Sequence, residues 1–299
     1  MTARSLGSLT GVAITVTICV AVGLHPPDFA IAGAGEASKP AKAELTKPGA
    51  PTDASPDPNA AVSHPGLAEV GPKRALGILR DHFGELTKKS VDSRLKLPAG
   101  MRVANYPSMN TARLVGSRGK HSLVVSNRPL VARNESTGEI APTDLSLTDT
   151  GAWYRPANAA FELAISERTP GQIVLGPTRS TRLSIVPLNT LVTPDPILEG
   201  GKLFFANSHT DTDTIATPLT GGAETFEQLR SPEAPTVFEY ELTLPSDATA
   251  RMTNAGGLEV IQDNKPTASM EKPWAVDAAG KQIPVSVSLN GNRLRLDVE

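Results

Sequence analysis

From Val91 onward the chain is a succession of short runs in which apolar and polar residues alternate, each closed by Gly, Pro, Asn or Asp. Alternation with a period of two gives an extended strand one buried and one wet face, and no long helical period competes with it here. The candidate strands are "RLKLP", "MRVANY", "SLVVS", "FELAI", "QIVLG", "TRLSIV", "KLFFAN", "VFEYELTL" and "GLEVI". In "VFEYELTL", Phe238, Tyr240, Leu242 and Leu244 fall on one face. The expected fold is mainly β, as one or two antiparallel sandwich-like modules. The 25 glycines and 26 prolines suit a chain that turns often. A soft boundary in "VTPDPILEGG" divides the β region into residues 91–195 and 196–299, either as two domains or as halves of one core.

The last hairpin, "IPVSVSLNGNRLRLDV", has the most explicit register. Asn290-Gly291 is the preferred pair for a type I′ turn. With those two residues as the loop, Val287 meets Leu294, Val285 meets Leu296 and Ile283 meets Val298. Ser288 with Arg293 and Ser286 with Arg295 then fall on the other face. A one-residue slip would mix the two faces.

Upstream, "PKRALGILRDHFGELTKK" repeats Leu76, Leu79, Phe83 and Leu86 at three- and four-residue steps, which predicts an amphipathic helix over residues 73–90. Gly77 and Gly84 each weaken it by about 1 kcal/mol relative to Ala. Its stripe packs on the following domain or binds a partner. Residues 33–72 are rich in Ala, Pro and Gly and carry no aromatic residue. Such a segment buries too little apolar surface to offset its ordering entropy, so a disordered tether is expected.

The N-terminus has Arg4, an apolar run over residues 11–24, and the small-x-small triplet Ala30-Ile31-Ala32. A charged start, a short apolar middle and a small-residue exit make a secretory signal peptide over residues 1–32. The alternative is an uncleaved membrane anchor, although the run is shorter than the roughly 20 residues a spanning helix needs. Cys19 is the sole cysteine, and Ile18 stands before it where lipidation requires a small residue. The expected location is secreted or at the cell surface, with no cysteine left after cleavage.

Charge and motifs narrow the function. Lys and Arg number 29 against 31 Asp and Glu, which lacks the cationic excess of a nucleic-acid binder. "DTGA" around Asp149 spells the catalytic turn of an aspartic protease, but such an enzyme needs two aspartates sharing a proton. No second D-T-G or D-S-G occurs, and Ser146 and Thr148 interrupt the apolar strand that should lead in. Asp149 is therefore a weak catalytic candidate beside an ordinary turn. Asp211 and Asp213, with His209 nearby, are weak candidates for a cation; a glycine at the EF-hand position is missing. His82, His121 and His209 stand apart, with no H-E-x-x-H. No G-x-S-x-G elbow or phosphate-binding glycine loop appears. Asn134-Glu135-Ser136 matches a glycosylation acceptor. No cofactor is called for.

Two stretches carry a resemblance. "TDTIATPLTGGAETFEQLRSPEAP", with Asp211 immediately before it, presents Asp213, Gly222, Glu224, Leu229, Arg230, Ser231 and Pro232. "EKPWAVDAAGKQIPVSVSLNGNRLRLDV" presents Pro273, Ala275, Asp277, Ala278 and Gly280. With the region around "DLSLTDTGAW", these resemble the N-terminal β region of secreted actinobacterial Rhs/YD-repeat (wall-associated) proteins. The resemblance spans about residues 90–299 and implies location and architecture; no catalytic residue carries over, and Y-D repeats are lacking. The expected function is an exported, non-enzymatic scaffold or contact module, the front part or a fragment of such a protein. Cell wall, carbohydrate or a C-terminal repeat region are its expected partners, and nucleic acid is not. The alternative is a secreted hydrolase, for example a homodimeric aspartic protease using Asp149.

Overall fold

The computed structural model describes residues 14–22, 70–88, 95–133, 138–176 and 182–299. The small-x-small motif at 30–32, the linker up to residue 69 and the triplet at 134–136 lie outside the described residues. The first described elements are strand β1 (Ile14–Val22) and helix α1 (Pro72–Thr87). β2 (Met101–Ser108), β3 (Thr111–Gly116) and β4 (His121–Val125) form a small meander, and β5 (Val131–Arg133) pairs with β6 (Ile140–Pro142).

β7 (Asp144–Asp149), β8 (Trp153–Asn158), β9 (Glu162–Ser166), β10 (Ile173–Gly176) and β11 (Leu183–Pro187) run up and down as one sheet. β12 (Ile197–Glu199), β13 (Lys202–His209), β14 (Thr212–Leu219) and β15 (Gly222–Leu229) start a second. β16 (Val237–Thr243) returns to the first sheet beside β11. β17 (Ala248–Met252), β18 (Leu258–Gln262), β19 (Lys265–Met270), β20 (Trp274–Asp277) and β21 (Gln282–Ile283) extend the second, and β22 (Val285–Asn290) and β23 (Arg293–Val298) close the first.

The result is mainly β: an eight-stranded sheet, β22-β23-β16-β11-β10-β9-β8-β7, faces a ten-stranded one built around β12-β13-β14-β15-β1-β19-β18-β17. One apolar cluster joins them, with Phe205, Ala223, Val260 and Met270 from one sheet and Ile165, Leu175, Phe238 and Leu296 from the other. Because β11 pairs with β16, strands β7–β11 on one side of the soft boundary share a sheet and a core with strands on the other side. Residues 101–142 lie apart in the two small sheets, around Ala112, Leu114 and Leu130.

β14 and β15 are buried on both faces. Odd and even residues of a strand point to opposite sides. One side of these strands meets the other sheet; the other meets α1, through Phe204, Ile215 and Phe226 against Leu76 and Leu79. The amphipathic stripe read from the sequence thus packs on the sandwich. Pro72 stands in the first helical turn, where its missing N–H costs nothing. Both helix ends are tied down: Asn207 Nδ2 donates to Val70 C=O (2.9 Å) and Lys202 Nζ to Leu86 C=O (2.8 Å). Gly200, at φ 58°, lies so close that a Cβ there would stand 2.7 Å from Thr87 O. Among the described residues no helix is long and apolar enough to cross a membrane.

Two expectations change, and the apolar N-terminal run, read from the sequence as part of an export signal, takes the form of a strand inside the larger sheet. Ile14 stands opposite both Leu229 and Asp277, and Val20 opposite Ala223 and Met270. "ITVTICVAV" alternates large β-branched residues with Thr, Cys and Ala, a pattern suited to extended backbone. Of "RLKLP", the described residues 95–98 form no strand, because the chain turns at Pro98, whose C=O accepts the N–H of Met101 (3.0 Å).

The final hairpin turns at Gly291-Asn292, one residue later than expected. Leu289 pairs with Leu294, Val287 with Leu296, and Val285 with Val298. Of the two loop residues Gly291 alone takes positive φ, at 59°, which is the signature of a type II′ turn rather than I′. Each partner moves by two residues, so the faces stay segregated.

Leu79 is 1% exposed under the helix. Leu79→Ala should lower unfolding free energy by about 2–5 kcal/mol in chemical denaturation. A change under about 0.5 kcal/mol would mean α1 does not cover the sheet.

Candidate functional site

The most unusual chemistry lies where β13, β14 and β15 meet. Pairing between β13 and β14 breaks between Phe205 and His209, and Asn207 sits there at φ 57°. Asparagine tolerates this left-handed conformation better than most residues. The bulge turns the Asn207 N–H onto Asp213 Oδ1 (2.9 Å). Arg230, one residue beyond β15, donates from Nη2 to Asn207 Oδ1 (2.6 Å) and places Nε 3.3 Å from Asp213 Oδ2. That last contact is an ion pair without the directed geometry of a hydrogen bond.

Asp213 is fully buried and Arg230 nearly so. Burial raises the Asp213 carboxyl to about 6, against the opposing pull of Arg230 and the Asn207 N–H. Asp211 takes φ 46° in the β13–β14 turn; its Oδ2 accepts the Ser231 hydroxyl (2.6 Å) and its C=O the Arg230 N–H (2.8 Å).

Thr214 pairs with Glu227 on the opposite face, toward the other sheet. Thr214 Oγ1 lies 2.7 Å from Ser208 Oγ and 2.5 Å from Glu227 Oε2. A single hydroxyl proton cannot be given to both. The chain of donors closes when Glu227 is protonated. Its O–H then donates to Thr214, Thr214 donates to Ser208, and Ser208 donates to the C=O of Thr212 (3.3 Å). Tyr240, from the facing sheet, donates its O–H to Glu227 Oε1 (3.4 Å).

Burial raises the Glu227 carboxyl from 4.5 to about 8, overcoming the hydrogen bonds from Thr214 and Tyr240 that favour its charged form. Burial, with Glu227 adding to it, also pushes the Tyr240 hydroxyl well above its usual range.

Two carboxyls with raised pKa are the raw material of acid–base catalysis. Here both sit in the interior and are engaged by donors of their own chain. A cavity of about 10 Å³ between the sheets is lined by Leu183, Ile185, Leu242, Val260, Met270 and Leu294 among others, and by no acidic side chain. The arrangement acts as an internal tie: it fixes the bulge, joins β15 to β13 and reaches α1 through Asn207.

The residues singled out from the sequence scatter. Asp149 ends β7 on the surface, and its Oδ1 accepts the N–H of Gly151 (2.7 Å), an Asx turn closing the β7–β8 hairpin. Asp211 and Asp213 come near each other, but Asp213 faces Arg230. His209 contributes no ligand beside them: its ring stacks edge-on against Phe238 (5.5 Å) and its Nε2 lies 3.3 Å from Leu188 C=O. Burial lowers its pKa. His82 and His121 are exposed on α1 and β4. Among the described residues no group of three or more His, Cys, Asp or Glu could hold a metal ion.

Glu227 was not anticipated. The signal was present in "GAETFEQL": Ala223, Thr225, Glu227 and Leu229 share one strand face, so the apolar ends imply a core glutamate. No family model, curated protein or solved structure matches the chain.

Two outcomes follow. Between about pH 4.5 and 8 the unfolded chain loses the Glu227 proton while the folded chain keeps it. The stability from neutral Glu227 is thus complete below about 4.5 and declines, by up to about 1.4 kcal/mol per pH unit, until the folded group ionises near 8. Glu227→Gln should remove this decline and match or exceed the wild type at pH 8; an unchanged pH profile in denaturant titrations would exclude the neutral acid. Arg230→Met strands a buried Asp213 carboxylate and should cost about 3–5 kcal/mol at pH 8. At pH 5, where Asp213 takes up a proton, the loss should be smaller; equal losses at both pH values would contradict the pairing.

Proposed function

We propose that this chain is an exported, non-enzymatic β-sandwich module that serves as a scaffold or contact surface, the N-terminal part of a secreted or cell-surface YD-repeat protein. One observation carries the reading: the residues of the resemblance do structural work. Asp211 holds Ser231, and Asp213 holds Arg230. In the second stretch Asp277 Oδ1 accepts the N–H groups of Ala279 (2.9 Å) and Lys281 (2.8 Å), with Gly280 at φ 78° between them. Motifs whose polar atoms are consumed in turns and interior ties specify a fold, and they leave recognition to surfaces and to whatever the module carries.

Export rests on the tripartite N-terminus and the Pro/Ala-rich stretch that follows it. Cell wall, carbohydrate and a following repeat region are the partner classes in keeping with that location.

The test is fractionation of an actinobacterial host expressing the full chain with a C-terminal tag, followed by mass spectrometry of the tagged product. A product in the medium or wall beginning after Ala32 is expected. Retention in the cytoplasm with residues 1–32 attached would contradict export.

A further inference from the structure

β15 is not paired directly with β19 or β20, because β1 lies between them. On one side β1 runs antiparallel to β15, from Ile14 opposite Leu229 to Ala21 opposite Gly222. On the other side Ile14 to Thr17 pair with β20, and Val20 to Val22 with β19. This strand reaches its place as a separate segment: the next described residue is Val70, whereas its neighbours come from residues 222–229 and 265–277. Its sequence fits the place. Ile14, Val16, Ile18 and Val20 stand opposite the β15 residues Leu229, Glu227, Thr225 and Ala223, and the smaller Thr15, Thr17 and Cys19 stand opposite Gln228, Phe226 and Glu224.

Cleavage after Ala32, the export reading on which this inference rests, removes that strand. The sheet would then hold a slot one strand wide, its flanking strands about 9–10 Å apart, with unpaired N–H and C=O groups along both edges. Open edges of this kind pair with any suitable extended chain.

We propose that the exported chain is a strand acceptor. The slot between β15 and β19–β20 binds, antiparallel to β15, an extended segment of another protein that carries large β-branched residues at alternate positions. Backbone pairing on two sides supplies affinity, and the alternate row of large side chains sets the register. A second exported copy does not supply the segment from its tether: residues 33–69 contain Leu45, Val62 and Leu67 as their only large aliphatic residues, far apart. The occupant assigned to the slot is accordingly a different chain, with a second copy left as an outcome of the test below.

The lone Cys19 gives a direct test, since it stands opposite Glu224. In the full chain, Glu224→Cys should form one intramolecular disulfide under mild oxidation. Thr217→Cys, one strand farther away, should form none. Failure of the first variant to cross-link while it remains folded would overturn the strand's seat.

The second arm uses the exported Glu224→Cys product, its N-terminus established by mass spectrometry. A peptide of sequence ITVTICVAV with solubilising ends should bind saturably, at least about tenfold tighter than a shuffled peptide, and cross-link one to one. An exported chain that begins after Ala32 yet binds neither peptide would overturn the acceptor and leave export standing. A product retaining residues 14–22 would refute the cleavage and, with it, an open slot. Dimers of the exported chain linked through this slot would make a second copy the occupant and overturn the assignment to a different chain.

Discussion

The contact on which most of the architecture depends is the burial of β15 from every side. β14 lies along one edge and β1 along the other, α1 covers one face and the eight-stranded sheet the other. A strand so enclosed has no water to satisfy its polar side chains. Glu227 and Gln228 are nonetheless almost completely buried, as are Asp213 and Thr214 on the neighbouring strand. The fold accommodates them in two ways on the two faces. Toward the helix, Asp213 is matched by Arg230 and Asn207; toward the other sheet, Glu227 is kept neutral and joins a line of hydroxyls.

Neither device is the cheapest route to stability. A buried ion pair of this kind contributes little relative to well-packed apolar residues, and removing one partner costs far more than the pair contributes. What it does supply is geometry. Asn207 can accept from Arg230 and donate to Val70 only if the bulge stands where it does, which sets the path of β13 and the placing of the helix start. Among the described residues the side-chain amide of Gln228 and the hydroxyl of Thr217 on the neighbouring strand make no hydrogen bond, so this interior keeps polar groups at a net cost.

Alternating runs such as "VFEYELTL" and "KLFFAN" announced the sheets, because period-two patterning survives in any sandwich with one wet face. The helix was legible for the same reason, with its stripe intact. Three features were hidden by competing physics. A short apolar run with a charged start reads as an export signal, and that reading passes over the alternation of its Thr and Cys positions, which also suits a strand. The Asn-Gly pair predicted a turn one residue too early, since Gly291 also serves the first position of a II′ turn. The union of the two β halves depends on β11 meeting β16, a long-range pairing that no local window contains. As for the site, motif spelling drew notice to Asp149 and Asp211, both of which serve turns, whereas Glu227 belongs to no motif and emerges only from the parity of its strand.

The central claim is that Glu227 is a neutral acid sealed between the sheets, closing the donor line through Thr214 and Ser208. Carbon-13 NMR of the side-chain carboxyls, with Glu227 assigned by its loss in Glu227→Gln, tests this most directly. The account predicts a protonated carboxyl at pH 7 that ionises only near pH 8 or with unfolding. A Glu227 resonance already in the ionised position at pH 6 in the folded protein would contradict it.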